Sequence, residues 1–205
     1  MDKTALAMTA GDIYRWLVGG RDGQELDRFD LHVVASILAL AVREAVAEGR
    51  PVAETAGIDA PSRLISMFPH AAALFLDGPA PARSEDEACL LDLLIRGGTK
   101  GSPFEALLAT MIARRAQRPN HLWQDLGLRD RGELSLLMAR DFAPLARRNS
   151  KDMKWKKFFY RTLCRDADYA LCTAPSCGEC CDFGICFNEE SGACLLAHAR
   201  SDVAA

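Results

Sequence analysis

Cys172, Cys177, Cys180 and Cys186 stand at the spacing Cys-x4-Cys-x2-Cys-x5-Cys, in a stretch with no apolar run that could hide them. Thiolates are soft ligands, and loops of two to five residues can fold several sulfurs around one centre without a large scaffold. Three chemistries compete for such a loop. A structural zinc site usually takes two ligand pairs from separate turns and so ties two elements together; with all four ligands in one loop, zinc would cross-link little. An iron-sulfur cluster suits a single loop better, and the first three cysteines match the opening of plant-type ferredoxins. The fourth follows only five residues later, so the motif indicates a cluster without indicating an ordinary ferredoxin. A thioredoxin-like pair at Cys177 and Cys180 would need a helix N-terminus beside a βαβ unit, and no such pattern is present.

The remaining cysteines are Cys89, Cys164, Cys181 and Cys194, so seven of the eight lie in the last 42 residues. A disulfide framework would spread them more evenly. Cys181, beside Cys180, points away if its neighbour is a ligand, although its participation stays open. Cys89, flanked by Ala88, Leu90 and Leu91, is expected in the core.

Upstream of the loop the charge is lopsided. Residues 142–165 carry Arg147, Arg148, Lys151, Lys154, Lys156, Lys157, Arg161 and Arg165 against Asp152, a balance of +7. Lys154, Lys157, Arg161 and Arg165 recur at helical steps and form a stripe, while Trp155, Phe158, Phe159 and Leu163 are placed to pack inward. Residues 166–205 hold seven acidic residues against Arg200, a balance of -6. The stripe is either a solvated basic face or a support for an anionic cluster or substrate. His32, His70, His121 and His198 form no HxxH or HExxH pair. His121 is the one to watch, because it opens the polar, aromatic run Asn120–Leu126, where its plainest role is that of a helix cap.

These groups must be positioned by helices. The periodicity of the first 165 residues is helical and no segment alternates as a strand does, which predicts an all-α, multi-helix body over 1–165 carrying a cysteine-rich, cluster-binding lobe and tail over 166–205. Helices are expected near Asp12–Val18, after Asp30 to Gly49, in short pieces over Val52–Leu76, from Ser84 with Glu87 completing a capping box, and from Ser102-Pro103 to about Arg115. A turn at His121–Leu126, one helix over Gly132–Arg147 and a last helix over Asp152–Arg165 complete the body. No internal repeat or low-complexity tract interrupts it.

At 205 residues the chain can bury a core without metal or disulfide help. Its start lacks the basic and apolar regions of a secretory signal, and its longest nearly uncharged apolar stretch, Leu31–Val42, is about half of the roughly 20 residues that a spanning helix needs. A cytoplasmic protein that uses neither membrane nor nucleic acid is expected, since the net charge is only -3 and no nucleic-acid-reading module is present.

The runs Asn120–Leu128 (NHLWQDLGL) and Asp152–Cys164 (DMKWKKFFYRTLC), taken together with the cysteine spacing, resemble the NifQ family of nitrogen-fixation proteins over roughly residues 100–187. The resemblance implies a carrier and donor of molybdenum, not an enzyme, serving assembly of the nitrogenase iron-molybdenum cofactor. It further implies a molybdenum-iron-sulfur cluster, of the Mo-Fe3-S4 type, on Cys172, Cys177, Cys180 and Cys186, with molybdate as the source. The implied partners are the cofactor-assembly scaffold and its associated iron protein. An electron-transfer or redox-sensing iron-sulfur protein and a zinc-stabilised interaction module are the alternatives.

Overall fold

The computed structural model describes residues 8–20, 27–59, 61–75, 82–166 and 194–195, with the helix but not the side chains given for 164–166. Ten α-helices and one 3-10 segment, with no strand among the described residues, make the body all-α. They are α1 (Ala10–Gly19), α2 (Arg28–Glu48), α3 (Val52–Ala56), α4 (Ser62–Met67), α5 (Glu85–Arg96), α6 (Pro103–Arg115), α7 (Leu122–Asp125), α8 (Arg131–Asp141), α9 (Ala143–Arg148) and α10 (Trp155–Asp166). The 3-10 segment Pro69–Leu74 follows α4, where the missing amide of Pro69 prevents the α-helix from continuing. No described helix is long and apolar enough to cross a membrane.

Helix α2 is the hub. Its central residues, including Val33, Val34, Ile37, Leu38, Ala41 and Val42, are buried, and α1 and α3 pack on it. The close approach of α3 to α6 depends on Gly57, which ends α3 at φ 75° and would place a Cβ 2.8 Å from the Thr110 carbonyl oxygen. Helix α6 pairs with α5, and α5 in turn receives α10. The body thus builds outward from α2 to the helix that leads towards the cysteines.

Several boundaries differ from the sequence expectation, each for a local reason. Asp27, not Asp30, caps α2, because its Oδ1 accepts from the amides of Phe29 (2.8 Å) and Asp30 (3.1 Å). Ser84 caps α5, but Glu87 does not close a capping box; it turns inward to Arg114, with Oε1 2.9 Å from Nε. The box is formed instead at α6 by Ser102 and Glu105. The single helix expected over Gly132–Arg147 is broken into α8 and α9 at Phe142, since Pro144 has no amide to continue the ladder. The last helix starts at Trp155 rather than Asp152, whose φ of 52° lies in the left-handed region. Cys89 is exposed on α5, not in the core: Leu90, Leu93 and Leu94 form the buried face and Cys89 falls outside it.

A cavity of about 820 Å³ opens between α2, α4, α6 and the end of α8, with Asp30, Arg63, Lys100, Phe104, Glu105 and Asp141 among its walls. It contains none of the residues that the sequence marks for metal chemistry. Asp141 is 7% exposed and its Oδ2 has no hydrogen-bond partner among the described residues. Burial first, and then the neighbouring Asp30 carboxylate, push its pKa up to about 6. Asp141 therefore holds its proton more tightly folded than unfolded, and its contribution to stability, full below about pH 4, is lost as pH rises through about 6. Asp141→Asn should remove that loss, so that the wild-type and mutant stability curves diverge by on the order of 2 kcal/mol between pH 4 and pH 7.5. Chemical denaturation at the two pH values checks this, and parallel curves would contradict it.

Candidate functional site

The cysteine loop itself, with Cys172, Cys177, Cys180, Cys181 and Cys186, lies outside the described residues, and so do the side chains of Cys164 and Arg165. Among the described residues no group of three His, Cys, Asp or Glu side chains is gathered for a metal. What the structure does place is the helix that precedes this segment in sequence and Cys194, which follows it.

The Asn120–Leu128 run is built around Asp125, whose side chain is 1% exposed. Asn120 Nδ2 donates to its Oδ1 at 3.0 Å and Lys156 Nζ donates to its Oδ2 at 2.6 Å. The fully buried Arg115 of α6 donates from Nε to the Asp125 carbonyl oxygen at 2.7 Å, and its guanidinium forks onto Glu44 of α2, Nη2 reaching Oε1 at 2.7 Å. Arg118 extends the chain of charges, with Nη2 2.7 Å from Glu44 and Nη1 2.8 Å from Glu48. The hydrogen bonds from Arg118 pull the Glu48 carboxyl down to about 2. Lys156 also donates to the Arg118 carbonyl oxygen. One network, buried at Arg115 and Asp125 and partly exposed elsewhere, therefore joins α2, α6, α7 and α10.

His121 stands at the N-cap of α7 in a capping box with Gln124, whose Oε1 accepts from the His121 amide at 3.2 Å. Gly127, at φ 71°, then reverses the chain so that the Leu128 amide donates to the Trp123 carbonyl at 2.9 Å. The Gly127 carbonyl accepts from Cys194 Sγ at 3.7 Å, and Cys194 follows the cysteine motif in sequence. Helix α10, which precedes the cysteine segment in sequence, and Cys194, which follows it, thus contact the same short run.

Helix α10 presents the two faces expected of it. Trp155, Phe158 and Phe159 are buried as an aromatic cluster, with Leu163 partly buried beside them. On the other side Lys157 is exposed and Lys154 and Arg161 are half-buried. Lys156 does not share in this stripe: it is committed to Asp125. Sequence reasoning missed this pair and the buried Arg115 behind it. The available signals were an arginine in step with Leu108, Met111 and Ile112 on an apolar helix, and a lone carboxylate in an aromatic run.

The fold defines the chain as an all-α protein whose last described long helix, α10, leads in sequence into a four-cysteine segment. The sequence model of the NifQ family matches residues 33–188, which includes all four cysteines of the motif, and the chain belongs to that family. It is 40% identical over 179 residues to the protein NifQ homolog of Sinorhizobium fredii, a match that covers 82% of this chain and 75% of the relative. It is 40% identical over 112 residues to protein NifQ of Rhodobacter capsulatus, covering 55% of this chain and 62% of that one. Over 81 residues it is 47% identical to protein NifQ of Klebsiella pneumoniae, covering 39% and 48%. No solved structure matches.

Removing one member of a buried ion pair typically costs about 3–5 kcal/mol, because the other charge is left uncompensated. Lys156→Met should accordingly destabilise the body by roughly 3 kcal/mol, and Lys156→Met combined with Asp125→Asn should cost less than the sum of the single changes. Urea unfolding of the two single variants and the double variant measures the coupling. Additive losses would show that the pair holds nothing together.

Proposed function

We propose that this chain carries molybdenum in a molybdenum-iron-sulfur cluster and donates it to assembly of the nitrogenase iron-molybdenum cofactor. The observation that carries the reading is the family match running through residue 188, which takes in the whole Cys-x4-Cys-x2-Cys-x5-Cys motif. Cys172, Cys177, Cys180 and Cys186 supply four soft thiolates, a donor set suited to iron and to sulfide-bound molybdenum. The cluster is cargo, so the protein's task is to hold it, keep it reachable and release it. No catalytic residue is assigned.

Lys154, Lys157, Arg161 and Arg165 give electrostatic support to a thiolate-rich anion or to incoming molybdate. The cofactor-assembly scaffold and its associated iron protein are the proposed acceptors, and the cytoplasm is the proposed site of action. Support for a body that stays folded during transfer comes from the core, which is built around α2 from residues outside the cysteine segment.

Protein purified without air should contain iron, molybdenum and acid-labile sulfide. Iron without molybdenum would favour an electron-transfer role, and zinc alone would favour a structural one. Replacement of any one of the four cysteines by Ala should lower cluster occupancy severalfold while the helical circular dichroism stays unchanged, because the core is built without the loop. Loss of the helical signal in all four variants would mean that the metal is structural.

A further inference from the structure

Most of the charged walls of the cavity between α2, α4, α6 and the end of α8 are already matched. Asp30 Oδ1 accepts from Arg140 Nη2 at 2.6 Å, and Arg140 Nη1 donates to Asp27 at 3.0 Å. Asp59 pairs with Arg83 at 2.5 Å. Glu105 closes the start of α6, its carboxylate accepting from the amides of Lys100 at 2.9 and 3.0 Å and of Ser102 at 3.3 Å. Three groups in the walls remain unmatched among the described residues. Neither Lys100 nor Arg63 makes an ion pair through its side chain, and Asp141 Oδ2 has no hydrogen-bond partner. Arg63 lies over the ring of Phe104, 5.8 Å from its centre.

Hydrogen bonds and electrostatics place these groups together. The Thr99 amide donates to the Asp141 carbonyl at 2.9 Å, and Thr99 Oγ1 accepts from the Ala143 amide at 2.8 Å. The backbone of Lys100 is thereby held between Asp141 and Glu105. Burial raises the Asp30 carboxyl, and the charges of Arg140, Lys100 and Arg63 oppose that rise. Around Asp141, burial first and then the carboxylates of Asp30 on α2 and Glu105 on α6 work against ionisation, while Arg140 on α8 and Lys100 work for it. Lys100 is therefore near both carboxyls, and Arg63 is near one of them.

Two unpaired cations against one buried carboxyl leave the cavity with an excess of positive charge, which selects an anion. At about 820 Å³ it falls within the range of roughly 300–1,000 Å³ typical of sites for small organic molecules. A bare inorganic ion would gain nothing from the buried Met67 and Phe104 in the walls, whereas a carbon skeleton would. We infer that this cavity binds a small organic carboxylate, its anionic groups on Lys100 and Arg63 and its carbon skeleton against Phe104 and Met67, with Asp141 limiting how much negative charge is accepted. The inference stands apart from the donor reading, because the cavity shares no residue with the cysteine motif or with α10.

Isothermal titration of the metal-free full chain at pH 7.5 with succinate, L-tartrate and propane-1,2,3-tricarboxylate tests the site, with phosphate and putrescine as comparisons. At least one of the carboxylates should bind, one per chain and more tightly than either comparison. Lys100→Ala and Arg63→Ala, both exposed changes, should each weaken it by about tenfold. Asp141→Asn should bind it severalfold more tightly than wild type, because at this pH the wild-type carboxyl is ionised and repels the ligand. A variant with all four motif cysteines replaced by Ala should bind as wild type does. Failure of all three carboxylates to bind, or affinity unchanged in both Lys100→Ala and Arg63→Ala, would overturn the inference. So would a preference for phosphate or putrescine, binding to folded Asp141→Asn no tighter than to wild type, or loss of binding in the cysteine variant. Iron-containing protein that never acquires molybdenum would instead defeat the donor reading, whatever the titration gives.

Discussion

A buried carboxylate is tolerated only when its charge is met, and Asp125, itself closed to water, is met by the half-buried Lys156 and the exposed Asn120. That requirement fixes more than one side chain. It sets the rotation of α10, because Lys156 must point into the body, which directs Lys154, Lys157 and Arg161 to the other side and leaves Trp155 and Phe159 to fill the core. It also fixes the path of the Asn120–Leu128 run, because Arg115, anchored to Glu44, holds the Asp125 backbone from beneath.

The Asn120–Leu128 run touches both α10, which precedes the four cysteines in sequence, and Cys194, which follows them. The Cys194 contact is weak, as thiol donors are, so it holds less firmly than the Lys156–Asp125 pair. On the proposed reading this suits a donor, which must retain its cargo and then give it up.

Much of the body was legible because its signals are local. Ser102-Pro103 announces a helix start through local geometry that needs no tertiary partner, and α6 begins there, with Glu105 closing a capping box that the sequence reading did not name. Glu87 carries the same local signal, yet the buried arginine Arg114 competes for it and wins, and sequence alone does not show where Arg114 lies. Pro144 was a readable break that periodicity on either side disguised. Cys89 was placed in the core by its apolar neighbours in sequence, whereas on a helix the neighbours that matter are three and four residues away. The cysteine spacing was legible as chemistry because it depends on ligand types and loop lengths. The Asp125–Lys156 pair spans 31 residues and leaves no periodic trace.

X-ray absorption at the molybdenum and iron edges, on protein purified without air, tests most directly whether the cysteine segment is a molybdenum cluster site. Molybdenum is expected to have sulfur neighbours with iron behind them in wild type, and to lose those sulfur neighbours when Cys172, Cys177, Cys180 and Cys186 are all replaced by Ala. Molybdenum with oxygen neighbours alone in wild type, or a zinc ion on the four thiolates with no iron present, would contradict the account.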